Sequence, residues 1–157
     1  IDLAQLNLAK WQEVTMNKYD KLKLENQLCF PLYALSREII KMYKPYLDKF
    51  NLTYTQYIVM IVMWEDEKII FKELGKKLHL DSGTLTPVLK KLESMDYITK
   101  YRTKEDDRVV MVELTDKGRA LKDQVLEIPD KMSCGSKLSK EESKQLKYYL
   151  DKMLEKF

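Results

Sequence analysis

The sequence predicts a mainly α-helical fold with one small β-hairpin, on three observations. Apolar residues recur at helical spacing over much of the chain, as in Leu28, Leu32, Leu35, Ile39 and Met42. One pair of segments, Tyr97 to Arg102 and Val109 to Leu114, is instead rich in β-branched and aromatic residues and brackets a charged turn, Thr103-Lys-Glu-Asp-Asp107. Two short helical stretches stand just before it: Phe71 to Leu78, then one capped by Asp81 or Ser82 and running to about Met95. Helix, turn, helix and hairpin over residues 71–115 make a winged helix-turn-helix, which lays one helix in the major groove of DNA and the hairpin along its backbone.

Each element has a local reason. From about Lys21 to Tyr43 the apolar stripe reads as a helix, which either begins near Phe30 or bends there, because Pro31 is harmless only in a first turn. Pro45 is expected to help end it. Thr53-Tyr-Thr-Gln56 fits a capping box for a second helix, and Glu65-Asp-Glu-Lys68 reads as a polar connector. In the short helix after it Leu74 and Leu78 face inward, with Gly75 a close-packing point or a weak spot. In the next, Leu85, Val88, Leu89, Leu92 and Met95 form the inward stripe. Thr115 caps a helix from Asp116 to about Ile128 that Pro129 stops or kinks, and Asp130 to Leu138 reads as a break. Ser139-Lys-Glu-Glu142 is another capping box, opening a last helix with Leu146, Tyr149, Leu150, Met153 and Leu154 inward. Residues 1–15 are expected to be leader or appended sequence, and 16–157 a single domain. The wide apolar stripes of 21–50 and 116–157 lie outside the winged core and are expected to pack on a second subunit, since two-fold dimers match palindromic DNA.

The chain has 157 residues, 45% apolar and 34% charged, enough for a core with a polar surface. No apolar run approaches the roughly 20 residues that span a bilayer, so no membrane partner is expected and the cytoplasm is the default compartment. Two cysteines are too few for a disulfide scaffold and read as free or redox-active thiols. One histidine, His79, makes no metal cluster, and no cofactor is implied. Net charge is +3, and Lys68 to Arg108 holds ten Lys/Arg against seven Asp/Glu, so the excess sits in the winged segment.

Around the second winged helix, Ser82, Thr84 and Thr86 are small donors for base edges or backbone, and Lys90 and Lys91 add phosphate charge. The hairpin carries Arg102, Lys104 and Arg108; an arginine at its tip suits a narrow minor groove, with Asp106 placed to hold the Arg108 side chain. Any one of these charges alone is an ordinary solvated residue; the order of elements raises them to a DNA surface. Cys29 lies one helical turn before Tyr33, with Tyr43 near that helix's end and Tyr54 at the start of the next. Phenols can donate to a thiolate, and a helix N-terminus lowers a thiol pKa. A thiolate attacks a peroxide and becomes a sulfenic acid, and apolar neighbours favour an organic hydroperoxide. The same spacing also fits a cysteine packed as a small hydrophobe. Cys134 reads either as a resolving thiol or as an unpaired loop cysteine.

The segments KLENQLCFPLYALSRE, YKPYLDKFNLTYTQY, LDSGTLTPVLKKLE and DDRVVMVELTDKG resemble the MarR family of winged-helix regulators over roughly Leu22 to Leu154. Within it they resemble the OhrR subfamily of organic hydroperoxide sensors, of the two-cysteine type. The wing pattern is carried by Asp106, Arg108, Leu114 and Thr115. The resemblance implies a homodimer of intertwined terminal helices, Cys29 as the peroxide-reactive thiol, and Tyr33, Tyr43 and Tyr54 as the tyrosines around it. It also implies a disulfide between Cys29 of one subunit and Cys134 of the other. The expectation is therefore a repressor, not an enzyme, that binds double-stranded DNA at a pseudo-palindromic operator and releases it on oxidation by an organic hydroperoxide. Rival readings are a regulator of the same family for a phenolic ligand, a thiol peroxidase, and a winged-helix interaction module.

Overall fold

The computed structural model describes residues 17–133 and 137–156, so the expectation for residues 1–15 lies outside them. The chain divides into two compact units, residues 1–41 and 42–157, with the boundary inside one long helix. In the first unit, two 3-10 turns, Asp20–Leu22 and Leu24–Asn26, precede helix α1, Cys29–Leu47. A helix from Lys21 was expected, but Lys23 and Gln27 are extended. Amide side chains take the carbonyls instead: Asn26 donates to Asp20 O at 2.8 Å, and Gln27 to Lys21 O and Lys23 O. Pro31 is the third residue of α1, where its missing N–H removes no helical bond. The helix that begins near Phe30 is thus the one observed. Pro45 does not end it but lies within it; the chain leaves through a 3-10 turn, Asp48–Phe50, and a left-handed Asn51 with φ 54°.

In the second unit, α2 spans Tyr54–Asp66 behind the capping box, with Gln56 N donating to the Thr53 hydroxyl at 3.3 Å and Thr53 N to Gln56 Oε1 at 2.9 Å. Val59, Met60 and Met63 are fully buried and put α2 at the centre of the core. Helices α3, Phe71–Leu78, and α4, Ser82–Ser94, meet at a turn through His79, φ 50°. A Cβ at Gly75 would lie 2.9 Å from the Leu80 carbonyl, so Gly75 is a close-packing point. Leu74, Leu85, Leu89 and Leu92 have no exposed surface, and Leu78, Val88 and Met95 are half-buried.

The wing is a three-stranded antiparallel sheet rather than a lone hairpin: β1 Lys68–Ile70, β2 Ile98–Arg102 and β3 Val110–Leu114, in the order β1-β3-β2. Val112 faces Ile69 on one side and Lys100 on the other. The connector expected over Glu65 to Lys68 is divided among elements: Glu65 and Asp66 finish α2, Glu67 turns at φ 56°, and Lys68 opens β1. Three residues are too few for strand alternation to register in a sequence.

Thr115 caps α5, Asp116–Val125, its hydroxyl accepting from Gly118 N at 2.9 Å. The helix stops short of Ile128. A separate helix, α6, Ile128–Ser133, occupies part of the expected break, and Pro129 sits in its first turn, where proline is tolerated. Helix α7, Lys140–Leu154, starts at the Ser139–Glu142 capping box. Its expected inward stripe is not inward: Leu146, Tyr149, Met153 and Leu154 are exposed and Leu150 is half-buried. Among the described residues, nothing in the chain covers that face. No helix among them is long and apolar enough to cross a membrane.

Candidate DNA-reading surface and thiol site

Asp81 opens α4 as its cap. Its carboxylate accepts from Thr84 N at 2.8 Å and from the Thr84 hydroxyl at 3.2 Å. Those donors hold the Asp81 carboxyl below the ordinary aspartate range. The Thr86 hydroxyl donates to the Ser82 carbonyl at 2.6 Å. The expectation of Thr84 and Thr86 as donors to DNA therefore needs correcting. Their hydroxyl protons are spent inside the helix, and they offer an acceptor oxygen and a methyl group outward. Ser82, Thr84, Thr86, Lys90 and Lys91 are all exposed.

At the wing tip the Thr103 hydroxyl donates to Asp106 O at 2.8 Å and accepts from Asp106 N at 3.2 Å. Asp106 Oδ1 accepts from Arg108 N at 2.9 Å, while Arg108 Nε stands 3.9 Å away. Asp106 thus fixes the Arg108 backbone; the side-chain hydrogen bond expected of it is not made. The Arg108 side chain is 91% exposed. Arg102 is not a free cation either, because its guanidinium donates to the Asp107 carbonyl and braces the tip. Among the described residues no ion pair engages Lys90, Lys91 or Lys104, all exposed. The outward face of α4 thus carries two lysines free of ion pairs, the electrostatic requirement for holding phosphates, while the wing tip sets Arg102, Lys104 and Arg108 among Glu105, Asp106 and Asp107.

Cys29 is the first residue of α1 and is exposed. There the Phe30 N–H donates to the Gln27 carbonyl at 3.3 Å, and Pro31 has no N–H to offer. Tyr33 follows one turn later, but its hydroxyl accepts from Arg37 at 3.2 Å, one turn further from the sulfur. The Arg37 guanidinium lies 5.5 Å from the Tyr33 ring centre. Tyr43 and Tyr54 come together in the second unit with ring centres 4.8 Å apart, and Tyr57 adds a third ring 5.7 Å from Tyr43. Burial pushes all three phenols up, so they stay protonated donors at neutral pH. Cys134 lies outside the described residues.

Several structural ties had no counterpart in the sequence reading. Glu93, in the last turn of α4, binds Lys100 of β2. Lys117 Nζ donates to Met95 O at 2.8 Å, the Thr115 hydroxyl to Asp96 O at 2.7 Å, and Trp64 Nε1 to Gly118 O at 2.9 Å. The Lys117 and Thr115 bonds seat the start of α5 beside the end of α4, and Trp64 ties α5 to α2. Trp64 and Gly118 are 54 positions apart, too far for any local spacing to signal the contact.

Known proteins share this arrangement. Residues 41–125 match the family model for the transcriptional regulators SarA/Rot. The organic hydroperoxide resistance transcriptional regulator of Bacillus subtilis (strain 168) is 51% identical over 139 residues, 88% of this chain and 95% of the relative. AbfR of Staphylococcus epidermidis resembles it in several forms. Reduced AbfR bound to DNA is 34% identical with a TM-score of 0.73, covering 88% of this chain and 97% of that one. Overoxidised AbfR bound to DNA gives 34%, a TM-score of 0.74, and 88% and 98% coverage. Disulfide-formed AbfR gives 32%, a TM-score of 0.58, and 88% and 92% coverage. A cysteine-to-serine mutant of MarR from E. coli is 26% identical with a TM-score of 0.63, covering 82% of this chain and 96% of that one.

Proposed function

The chain belongs to the SarA/Rot transcriptional regulators and to the wider winged-helix MarR family, and on that premise we propose a DNA-binding repressor that releases its operator when Cys29 is oxidised by an organic hydroperoxide. The observation that carries the proposal is the pairing, in one chain, of a braced reading head with an exposed cysteine at the first position of a long helix. Helix α4 enters the major groove with Ser82, Thr84 and Thr86 near base edges and Lys90 and Lys91 on phosphates. Arg108 and Lys104 take the flanking backbone or minor groove, held by the turn that Arg102 and Asp106 fix.

The regulator acts as a homodimer. A pseudo-palindromic operator needs two reading heads about one DNA turn, ~34 Å, or a multiple of it apart. The exposed apolar faces of α1 and α7 are the surfaces that join them. The Cys29 thiolate attacks the distal oxygen of the hydroperoxide. The O–O bond breaks, two electrons leave sulfur, an alcohol departs once its oxygen is protonated, and Cys29 becomes a sulfenic acid. The partner subunit's Cys134 thiol then displaces that oxygen as water and forms a disulfide. AbfR supports placing release at the disulfide: its overoxidised form is a DNA complex, whereas its disulfide form is the one this chain resembles less. The oxidant is consumed one for one with the thiol, so the protein is a sensor and not an enzyme.

A gel shift tests this, using the duplex that the reduced protein enriches from a random-sequence library. Cumene hydroperoxide is expected to abolish the shift of the wild type and leave that of Cys29→Ser intact. Release of Cys29→Ser by the oxidant, or by a phenolic ligand alone, contradicts the proposal.

A further inference from the structure

Helix α4 and the wing must reach neighbouring stretches of one duplex together; they share a core at their base through Leu92, Ile98 and Val112, and further along the wing one carboxylate of α4 reaches strand β2. Glu93 Oε1 accepts from the Lys100 backbone N–H at 3.1 Å, and Glu93 Oε2 lies 3.1 Å from Lys100 Nζ. Both oxygens are thus used on one residue, in a charge-assisted pair of contacts. Strand β2 is the edge of the sheet, so this N–H lies outside the ladder with β3 and would otherwise need water. The Lys100 side chain is 23% exposed, the least exposed cation of any ion pair among the described residues. Of the others in the winged segment, Lys76–Glu73 joins neighbours along one helix, Lys77–Asp66 ties α3 to α2, and Arg108–Asp106 lies within the wing tip.

The position of the clamp gives it leverage. Lys100 sits mid-strand, and the wing tip begins at Thr103, about 10 Å further on at strand rise. The tip is rigid in itself, through the Thr103–Asp106 and Asp106–Arg108 bonds. What its own bonds leave open is the angle of the whole hairpin to α4. A pivot of about 10° would carry the tip about 2 Å, more than a hydrogen bond tolerates.

We propose that Glu93 is a positioning residue for DNA recognition: through Lys100 it sets the angle between helix α4 and the wing, so that Arg108 and the α4 face engage the same duplex. It touches no DNA itself. The inference rests on the DNA-reading function proposed above.

The test is a double-mutant cycle on the full-length reduced protein, with the library-selected duplex as probe and salt held fixed. Arg108→Ala is expected to weaken binding about tenfold. Glu93→Ala is expected to do nearly as much alone, but to add less than about twofold in the Arg108→Ala background, because a misplaced wing has nothing further to lose. Glu93→Gln keeps an acceptor for the Lys100 N–H and is expected to restore most of the affinity. Hydrogen exchange of the free protein is expected to rise at Lys100 and the wing amides in Glu93→Ala, with α4 unchanged. If the two losses multiply, or Glu93→Ala binds like wild type while Arg108→Ala does not, the positioning role is overturned and the DNA-reading function stands. If Arg108→Ala also binds like wild type, the wing takes no part in DNA binding and both ideas fall.

Discussion

In the reading head Leu85, Leu89 and Leu92 of α4 are fully buried, and side-chain bonds tie one element to the next: Glu93 to β2, Lys117 to the end of α4, Trp64 to α5. Between Leu22 and Ile40 the apolar side chains are mostly exposed, with Leu28 at 66% and Tyr33 at 59%, and the hydrogen bonds described there span six residues or fewer. The first region obtains its rigidity from its own chain. The second carries apolar surface that the described residues do not bury, and Cys29 lies in it. Cys29 therefore lies in the region with exposed apolar surface, outside the internally tied reading head. The function proposed above uses that division: oxidation of Cys29 is expected to alter the distance between two reading heads without unfolding either.

The comparison can be broken by mutation. The largest effect is expected from Leu92→Ala, which opens a cavity in the reading head and costs about 3 kcal/mol of unfolding free energy at every protein concentration. Gly118→Ala comes next, at about 2 kcal/mol, since its Cβ would stand 2.1 Å from the Tyr97 carbonyl and 2.8 Å from Leu114 Cδ1. Leu28→Ala is expected to cost only about 1 kcal/mol, and only as a midpoint that falls on dilution, because the proposed dimer would cover its exposed side chain. Urea titrations at two protein concentrations separate the three; a concentration-independent loss for Leu28→Ala would erase the distinction between the regions.

The smallest effect belongs to Asp81. Its carboxyl is held below the ordinary range by Thr84, so the cap contributes stability above the unfolded value near pH 4 and loses it as pH falls through the lowered folded value. Asp81→Ala is thus expected to be less stable than wild type at pH 7 and to converge with it in strong acid. A gap that stays as wide in strong acid as at pH 7 contradicts that assignment.

Much of this was legible in local sequence. The capping boxes at Thr53–Gln56 and Ser139–Glu142, and the caps at Asp81 and Thr115, fix four helix starts because cap chemistry acts over three or four residues. The wing turn was legible for the same reason. What escaped depends on residues far apart in the chain. β1 exists only through its pairing with β3, and Glu93 meets Lys100 only once α4 and β2 are folded beside each other. The stripe of α7 was correctly apolar, yet among the described residues the chain offers it no partner, so its direction could not be inferred from periodicity. At the thiol, spacing placed Cys29 and Tyr33 one turn apart, but could not show that Arg37 takes the Tyr33 hydroxyl.

One oxidation titration bears on the central claim most directly. Sub-stoichiometric additions of cumene hydroperoxide to the DNA-bound dimer are followed on the same samples by non-reducing mass and by DNA affinity. The expected result is that a covalent dimer linked through Cys29 and Cys134 accumulates in step with release, each addition freeing DNA in proportion to the disulfide formed. Full disulfide formation with the duplex still held at its original affinity would contradict the account.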